Sequence, residues 1–374
     1  MTTLKSILTR AVIVRLILGW GAFLATVLTG PLLSQPLPGP VLLAVLAAIV
    51  AVIIVCAFGV VTEAEHLAHR LGDPYGTLVL TLSIVLIEVI LISAVMLGPG
   101  EHATIARDSV MAVSMIILNL VVGAALLVGG IRHRSLRANS TGVSAYLSLL
   151  VVLLVTAFFL PGLIGVDGAY TPAQAIPVIV LTLLLYGFFL WRQTGAQATD
   201  FTEPGHEADA PAPRTPIGDV LREHRTEVLL RTAVLVATVL PIVLLSHDMA
   251  TLLDDGLDRL GAPVALSGIL IAMIVFLPET ITTVRAALGG EMQRVSNLCH
   301  GALVSTVGLT IPAVLMIGLF TGQTVMLAET PTNLVLLGAT LLLTVATFAG
   351  KRLTAISGSA HLMLFVVYGL TVFA

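Results

Sequence analysis

Polar residues punctuate this chain at long intervals, and between them lie eleven runs, each about the length of a membrane span, in which hydrophobic side chains follow one another almost without interruption. They occupy residues 11–30, 39–61, 75–97, 109–130, 143–165, 174–192, 228–247, 264–287, 297–319, 331–349 and 355–373. Crossing about 30 Å of hydrocarbon at 1.5 Å per residue takes about 20 apolar residues in a helix, which these runs supply. Barrel strands would alternate apolar with polar positions, and these runs do not, so each predicts a spanning helix. The fold class expected is therefore an all-α membrane protein of about eleven transmembrane helices. The first run follows Lys5, Arg10 and Arg15 as a secretory leader would, but it is long and ends TVLTG without a small-x-small pattern, so it is expected to be a retained helix.

Composition agrees. Of 374 residues, 57% are hydrophobic and 10% charged, with a mean hydropathy of +1.06, outside the range of water-soluble domains. Cys56 and Cys299 both fall inside predicted spans, which argues for two buried thiols and against a disulfide or thiolate metal centre. The basic residues are strongly asymmetric. With a cytoplasmic N-terminus, 16 of the 18 Lys and Arg lie on the inner side, including Arg132, Arg134 and Arg137 in one short loop, and only Arg107 and Arg259 lie opposite. The outer loops then carry Glu101, Asp108, Asp167, Asp248, Asp254, Asp255, Asp258 and Glu329, an acidic surface that would concentrate cations.

The stretch ATDFTEPGHEADAPAPRTP, residues 198–216, is polar, rich in proline and acidic side chains, and without hydrophobic period; it predicts a cytoplasmic linker within 193–227. On either side of it the chain repeats itself. HRLGDPYGTLVLTLSIVLIE ends at Glu88 and DRLGAPVALSGILIAMIVFLPE ends at Glu279, both with R-L-G-x-P at the start of a span, an Ile-Val pair, and then a glutamate. Five spans separate the matching elements, so the two copies enter the membrane from opposite faces. This predicts an N-terminal helix and connector (1–38), a first five-helix repeat (39–192), the linker (193–227), and a second, inverted five-helix repeat (228–374).

Glu88 and Glu279 both fall near the middle of their spans, where each carboxylate opposes insertion by about 2.5–3.5 kcal/mol. Something must offset that, and either a proton or a metal cation can. A pair of permanently protonated glutamates clamping two helices is the structural alternative. Pro278, immediately before Glu279, lacks an N–H and disturbs the helix, which would release the Ile274 carbonyl as a ligand. Calcium takes about six to eight oxygens, more than two carboxylates supply; Thr81, Thr282 and Thr283 are candidate additions, although hydroxyls bonded back to their own helices are the simpler reading. The following spans carry Ser114 and Asn119, then Asn297, Ser305, Thr306 and Thr310, while Gly123, Gly301 and Gly308 read as close helix packing.

On the stretches GDPYGTLVLTLSIVLIEVILI, RDSVMAVSMIILNLVVG, FLPETITTVRAA and SNLCHGALVSTVGLTIP the chain resembles the bacterial calcium/sodium-proton antiporters of the cation/calcium exchanger superfamily. The resemblance implies that Glu88 and Glu279 are essential acidic residues, with Asn119 a further polar group of the site. It departs from the vacuolar-type exchangers, whose Gly-Asn before each acidic residue is here Ile84-Val85 and Val275-Phe276, and whose glutamine is Ser305. The expectation is a secondary antiporter in the bacterial inner membrane that exchanges Ca2+, or also Na+ or K+, for H+. Its partners would be inorganic cations, protons and the bilayer, with no cofactor and no nucleic acid. A sodium-driven calcium exchanger and a non-transporting structural or sensory membrane protein are the alternatives. EHLAH at 65–69, with His66 and His69 one turn apart, is not a metalloprotease motif, and no phosphate-binding GxxxxGK[ST] loop occurs, so neither an enzyme nor an ATP-driven pump is expected.

Overall fold

The computed structural model describes residues 7–33, 37–71, 82, 85, 89, 92, 93, 96, 103–133, 136–204, 222–350 and 352–373. The predicted span 75–97 thus lies largely outside the described residues, and Thr81 and Glu88 lie outside them. The helices are α1 (Arg10–Leu33), α2 (Gly39–Leu71), α3 (Ile105–Arg132), α4 (Ser140–Ile164), α5 (Pro172–Thr194), α6 (Arg225–Asp258), α7 (Val264–Val275), α8 (Leu277–Gly289), α9 (Met292–Thr321), α10 (Pro331–Ala349) and α11 (Ala355–Val372). Among the described residues nine are long and apolar enough to cross a membrane, and the α7–α8 pair, bent by 59° at its break, makes ten if it is counted as one span. Only isolated β-bridges accompany them among the described residues. Two helices run well past their hydrophobic windows, α2 to Leu71 and α6 to Asp258, because nothing in either extension breaks a helix once the apolar segment has formed it.

The chain forms two compact units, Met1–Ile87 with Ala208–Pro278, and Glu88–Glu207 with Glu279–Ala374. In the first, α2 and α6 pack along their lengths, with α1 and α7 against both or either of them. Trp20 Nε1 donates to the Ala237 carbonyl (3.0 Å), which ties α1 to α6. At one end of α2 and α6, Arg231 reaches Glu63 (3.0 Å) and Glu227 (3.1 Å), all three nearly buried, so that each charge removed from water is paired.

In the second unit α3 is largely buried, packed against α11, α10 and α9, with α5 in turn against α9. Leucine, isoleucine, valine and phenylalanine side chains such as Leu184, Phe188, Leu342 and Ile356 face outward, whereas Asn119, His300, Thr340, Thr344 and His361 are wholly buried. That inversion of the water-soluble pattern is what lipid as solvent selects. The three glycines expected at packing positions are such positions: a methyl group on Gly301 would press on the Tyr146 ring, one on Gly308 on the Tyr186 ring, and one on Gly123 on the Gly358 carbonyl at 3.0 Å. At Gly358 an added Cβ would come within 2.5 Å of Leu127 N and 2.7 Å of Gly123 O, so α3 and α11 cross backbone to backbone.

Three helices contain a π-helical turn, Ile116–Val121 in α3, Val155–Phe159 in α4 and Asn297–Gly301 in α9. Each accommodates one extra residue and shifts the faces on either side. Helix ends are closed by ordinary caps: Asn139 accepts from Thr141 N, Thr330 from Asn333 N and Thr354 from Ser357 N. The beginning of the polar segment after α5 is folded, with a 3-10 turn at Ala198–Phe201. There Glu203 accepts from the backbone N–H groups of Met292 (3.0 Å), Gln293 (2.9 Å) and Arg294 (3.4 Å), in the first turn of α9.

Gly358→Ala is expected to lower stability by about 1–3 kcal/mol, since the backbone it meets cannot turn aside. Gly369→Ala, where an added methyl meets nothing, should leave it unchanged or slightly raised; thermal unfolding of the two variants in detergent measures the difference.

Candidate functional site

The helix that α7 begins stops at Val275, with Phe276 at φ −84° and ψ 0°, and a new helix starts at Leu277. The cause is local. Pro278 has no N–H to give to the carbonyl four residues back and its ring crowds that turn, so continuing the helix through it is disfavoured. Proline is instead well accommodated in a first turn, and Glu279 falls in the first turn of α8 as a result. Glu279 is 7% exposed, at a helix N-terminus, the end that carries the partial positive charge. Thr282 and Thr283 follow on α8; Thr283 is buried and lies 3.9 Å from the Cys299 thiol in the π-turn of α9, and Cys299 is within electrostatic range of Glu279. The acidic residue, its threonine neighbour and the π-turn of the next helix are therefore brought together in one unit.

Asn119 occupies the π-turn of α3 in the same unit. Its Nδ2 donates to Thr340 Oγ1 at 2.9 Å, and its Oδ1 faces His361 Nδ1 at 3.3 Å. His361 Nε2 meets Thr347 Oγ1 at 3.3 Å. One proton arrangement satisfies the whole chain: the Thr347 hydroxyl donates to Nε2, Nδ1–H donates to Asn119, and the amide donates to Thr340. Thr344 bonds back to the Thr340 carbonyl, and Ser114 to Val110. A second network lies at the end of the unit where the polar segment docks. Gln193 donates to the Tyr146 hydroxyl (2.8 Å), Gln293 to Asn297 Oδ1 (2.9 Å), and Asn297 Nδ2 to the Phe201 carbonyl (2.8 Å). Nearby, His300 bonds to Ser296 (2.9 Å) and stands edge-on to Phe348.

The expected site residues meet different fates in this geometry. Glu279, Thr282, Thr283, Asn119 and Ser305 all belong to the second unit, whereas Ile274 lies in the last turn of α7 in the first. Ser305 Oγ donates to the Gly301 carbonyl and accepts from the Tyr186 hydroxyl, both at 2.9 Å, so it is occupied by its own helix and by α5. Thr340, Thr347 and His361 were not singled out by the sequence reading. The spacing of Thr340, Thr344 and Thr347 along one face of an otherwise apolar span is the signal that marks them. Among the described residues, no three His, Cys, Asp or Glu side chains converge to hold a metal ion.

The sodium/calcium exchanger protein family model matches residues 41–195 and 230–374, most of the chain. The chain belongs to this family. It is a secondary transporter rather than an enzyme, a multi-pass membrane protein of an antiporter family that moves inorganic cations and protons. It is 33% identical over 344 residues to the sodium-potassium/proton antiporter ChaA of Escherichia coli (strain K12), covering 91% of each chain. The fold is shared with the Ca2+/H+ antiporter protein YfkE at a TM-score of 0.66 and 18% identity, covering 96% of this chain and 99% of that one. It is shared also with the H+/Ca2+ exchanger CAX at a TM-score of 0.64 and 14% identity, covering 96% and 89%. The expected all-α exchanger architecture of about eleven spans accords with these likenesses.

Thr340→Val would leave the Asn119 amide facing only the Met115 sulfur at 3.6 Å. A loss of about 1–3 kcal/mol is expected for that buried donor, with Thr340→Ser retaining stability; equal thermal midpoints for the two variants would remove Thr340 as the support of Asn119.

Proposed function

We propose that this protein is an antiporter of the bacterial inner membrane, N-terminus inside, in which Glu88 and Glu279 take a metal cation and protons in turn. The observation that carries the reading is the placement of Glu279: a buried carboxylate in the first turn of a helix that restarts inside a span, beside a proline that enforces the restart. Such interrupted spans are where transporters of this architecture hold their ions, because helix ends offer charge and unpaired backbone that an unbroken helix does not. Asn119, Thr282 and Thr283 are the nearest additional oxygens in this reading. Ser305, already doubly bonded, has a supporting role.

Two inverted five-helix repeats, 39–192 and 228–374, provide the frame. In support, the two segments that the family model matches nearly coincide with them, and each compact unit draws one piece from each half, divided just before Glu88 in one and just before Glu279 in the other. Alternate exposure of the site then follows from rearrangement of packed bundles about it.

The ions follow from charge. Two carboxylates neutralise one Ca2+, and the same pair with one carboxyl protonated neutralises one Na+ or K+. The likeness in fold to Ca2+/H+ exchangers and the 33% identity to a sodium-potassium/proton antiporter accord with both modes. Sodium-driven calcium exchange on the same scaffold is the second reading.

In proteoliposomes, Ca2+, Na+ and K+ added separately should each release protons from the lumen, with Mg2+ as the contrasting case, because it sheds its water reluctantly. Glu88→Gln and Glu279→Gln should each reduce this flux at least tenfold while the protein remains folded and inserted. Full calcium-driven proton flux in either variant would overturn the shared site, and calcium movement that needs sodium but moves no protons would establish the second reading.

A further inference from the structure

A second acidic residue of this unit is buried far from Glu279 in the sequence, in the loop between α9 and α10. Glu329 is 7% exposed. Three loops converge to bury it: Met326 N donates to the Ala103 carbonyl (2.8 Å), Leu327 N and Ala328 N to the Gly168 carbonyl (3.0 Å each), and Glu329 N to the Phe158 carbonyl (3.1 Å). Gly168, at φ +77°, adopts the left-handed conformation that turns its carbonyl to both donors. The Glu329 side chain is then half satisfied. Its Oε2 accepts from Asn333 Nδ2 (2.8 Å) and Thr330 N (3.0 Å), while Oε1 is buried and meets no donor or acceptor among the described residues.

Neither protonation state repairs this within the protein. Ionised, the group buries an oxygen with no donor; protonated on Oε1, it buries an O–H with no acceptor; protonated on Oε2, it confronts two N–H donors. The neighbouring charges are Arg107 and Asp108 at the start of α3, and the Tyr368 hydroxyl of α11 also lies within electrostatic range. Arg107 is already engaged, donating to Asp108 Oδ1 (2.8 Å) and to the Ala328 carbonyl (3.2 Å). Two carboxylates and one guanidinium leave one net negative charge, and the unsatisfied atom is on Glu329.

We propose that Glu329 and Asp108 form an accessory site for a single monovalent cation, Na+ or K+, at the mouth of the second unit, separate from the Glu88 and Glu279 pair. The net charge suits one monovalent ion and leaves a divalent ion under-neutralised. The site lies at the start of α10, whose Thr340, 11 residues on and so about 16 Å away, holds Asn119. The basic-residue asymmetry assigns this mouth to the outer face, where cations arrive. Burial raises the affinity of Glu329 for protons, so H+ competes with the metal as pH falls.

Equilibrium binding of 22Na+ and of 86Rb+, as a K+ probe, to the purified full-length protein tests this. In the Glu88→Gln/Glu279→Gln background one monovalent site should persist. Adding Glu329→Gln should abolish it, and Asp108→Asn, at a half-exposed position that does not threaten folding, should weaken it at least tenfold. Lower pH should weaken it, by up to tenfold per unit below the carboxyl pKa. No binding in that background, binding unchanged by both Glu329→Gln and Asp108→Asn, or proton uptake at Glu329 with no bound Na+ or Rb+ would overturn the proposal. Persistent transport by the Glu88→Gln/Glu279→Gln protein would count against the exchange site instead and leave the accessory site standing.

Discussion

A polar group buried in this protein must look for its partner within the protein or in a bound ion, because hydrocarbon offers neither donor nor acceptor. That constraint organises the second unit. Asn119 sits where it does because Thr340 and His361 supply its partners from two other helices, and those helices approach closely enough only because Gly123 and Gly358 remove the side chains between α3 and α11. Glycine at the crossing and amide in the layer are parts of one solution. The apolar exterior needs no such precision, and the outward leucines and phenylalanines vary freely in how they face lipid.

The same constraint separates two kinds of buried carboxylate. Glu63 is paired with Arg231 across α2 and α6, a contact that fixes those two helices together. Glu279 stands at a helix start created by Pro278, in the unit where Thr283 meets the π-turn of α9.

The spans, their number and the position of the acidic residue could be read directly from the sequence, because lipid imposes length and apolarity on every run and because one Pro-Glu pair in such a run has few explanations. The likeness of the two halves was legible in R-L-G-x-P and in the paired glutamates. What lay beyond reach was pairing across helices. Asn119 was visible as a polar residue needing a partner, but the partner lies 221 residues away, and nothing local distinguishes Thr340 from a hydroxyl bonded to its own helix. Ser305 shows the same limit: its place in the motif points to an ion, and its bonds to Tyr186 and Gly301 are partners the sequence does not announce. The segment after α5 likewise reads as linker by composition, yet one carboxylate, Glu203, accepts from three N–H groups of the first turn of α9 and ties down its beginning.

The π-turns of α3 and α9 carry a further implication. Because an α-helix advances about 100° per residue, one surplus residue leaves the two ends of each rod angularly offset, so each end can be fitted to different neighbours without compromise at the other. The accommodation is concentrated at Asn119 in one rod and at Asn297–Gly301 in the other. Excising a single residue there would keep the hydrophobicity and nearly the length of the span while rotating everything beyond it away from its neighbours. In these two rods, phase is a more exacting inheritance than composition.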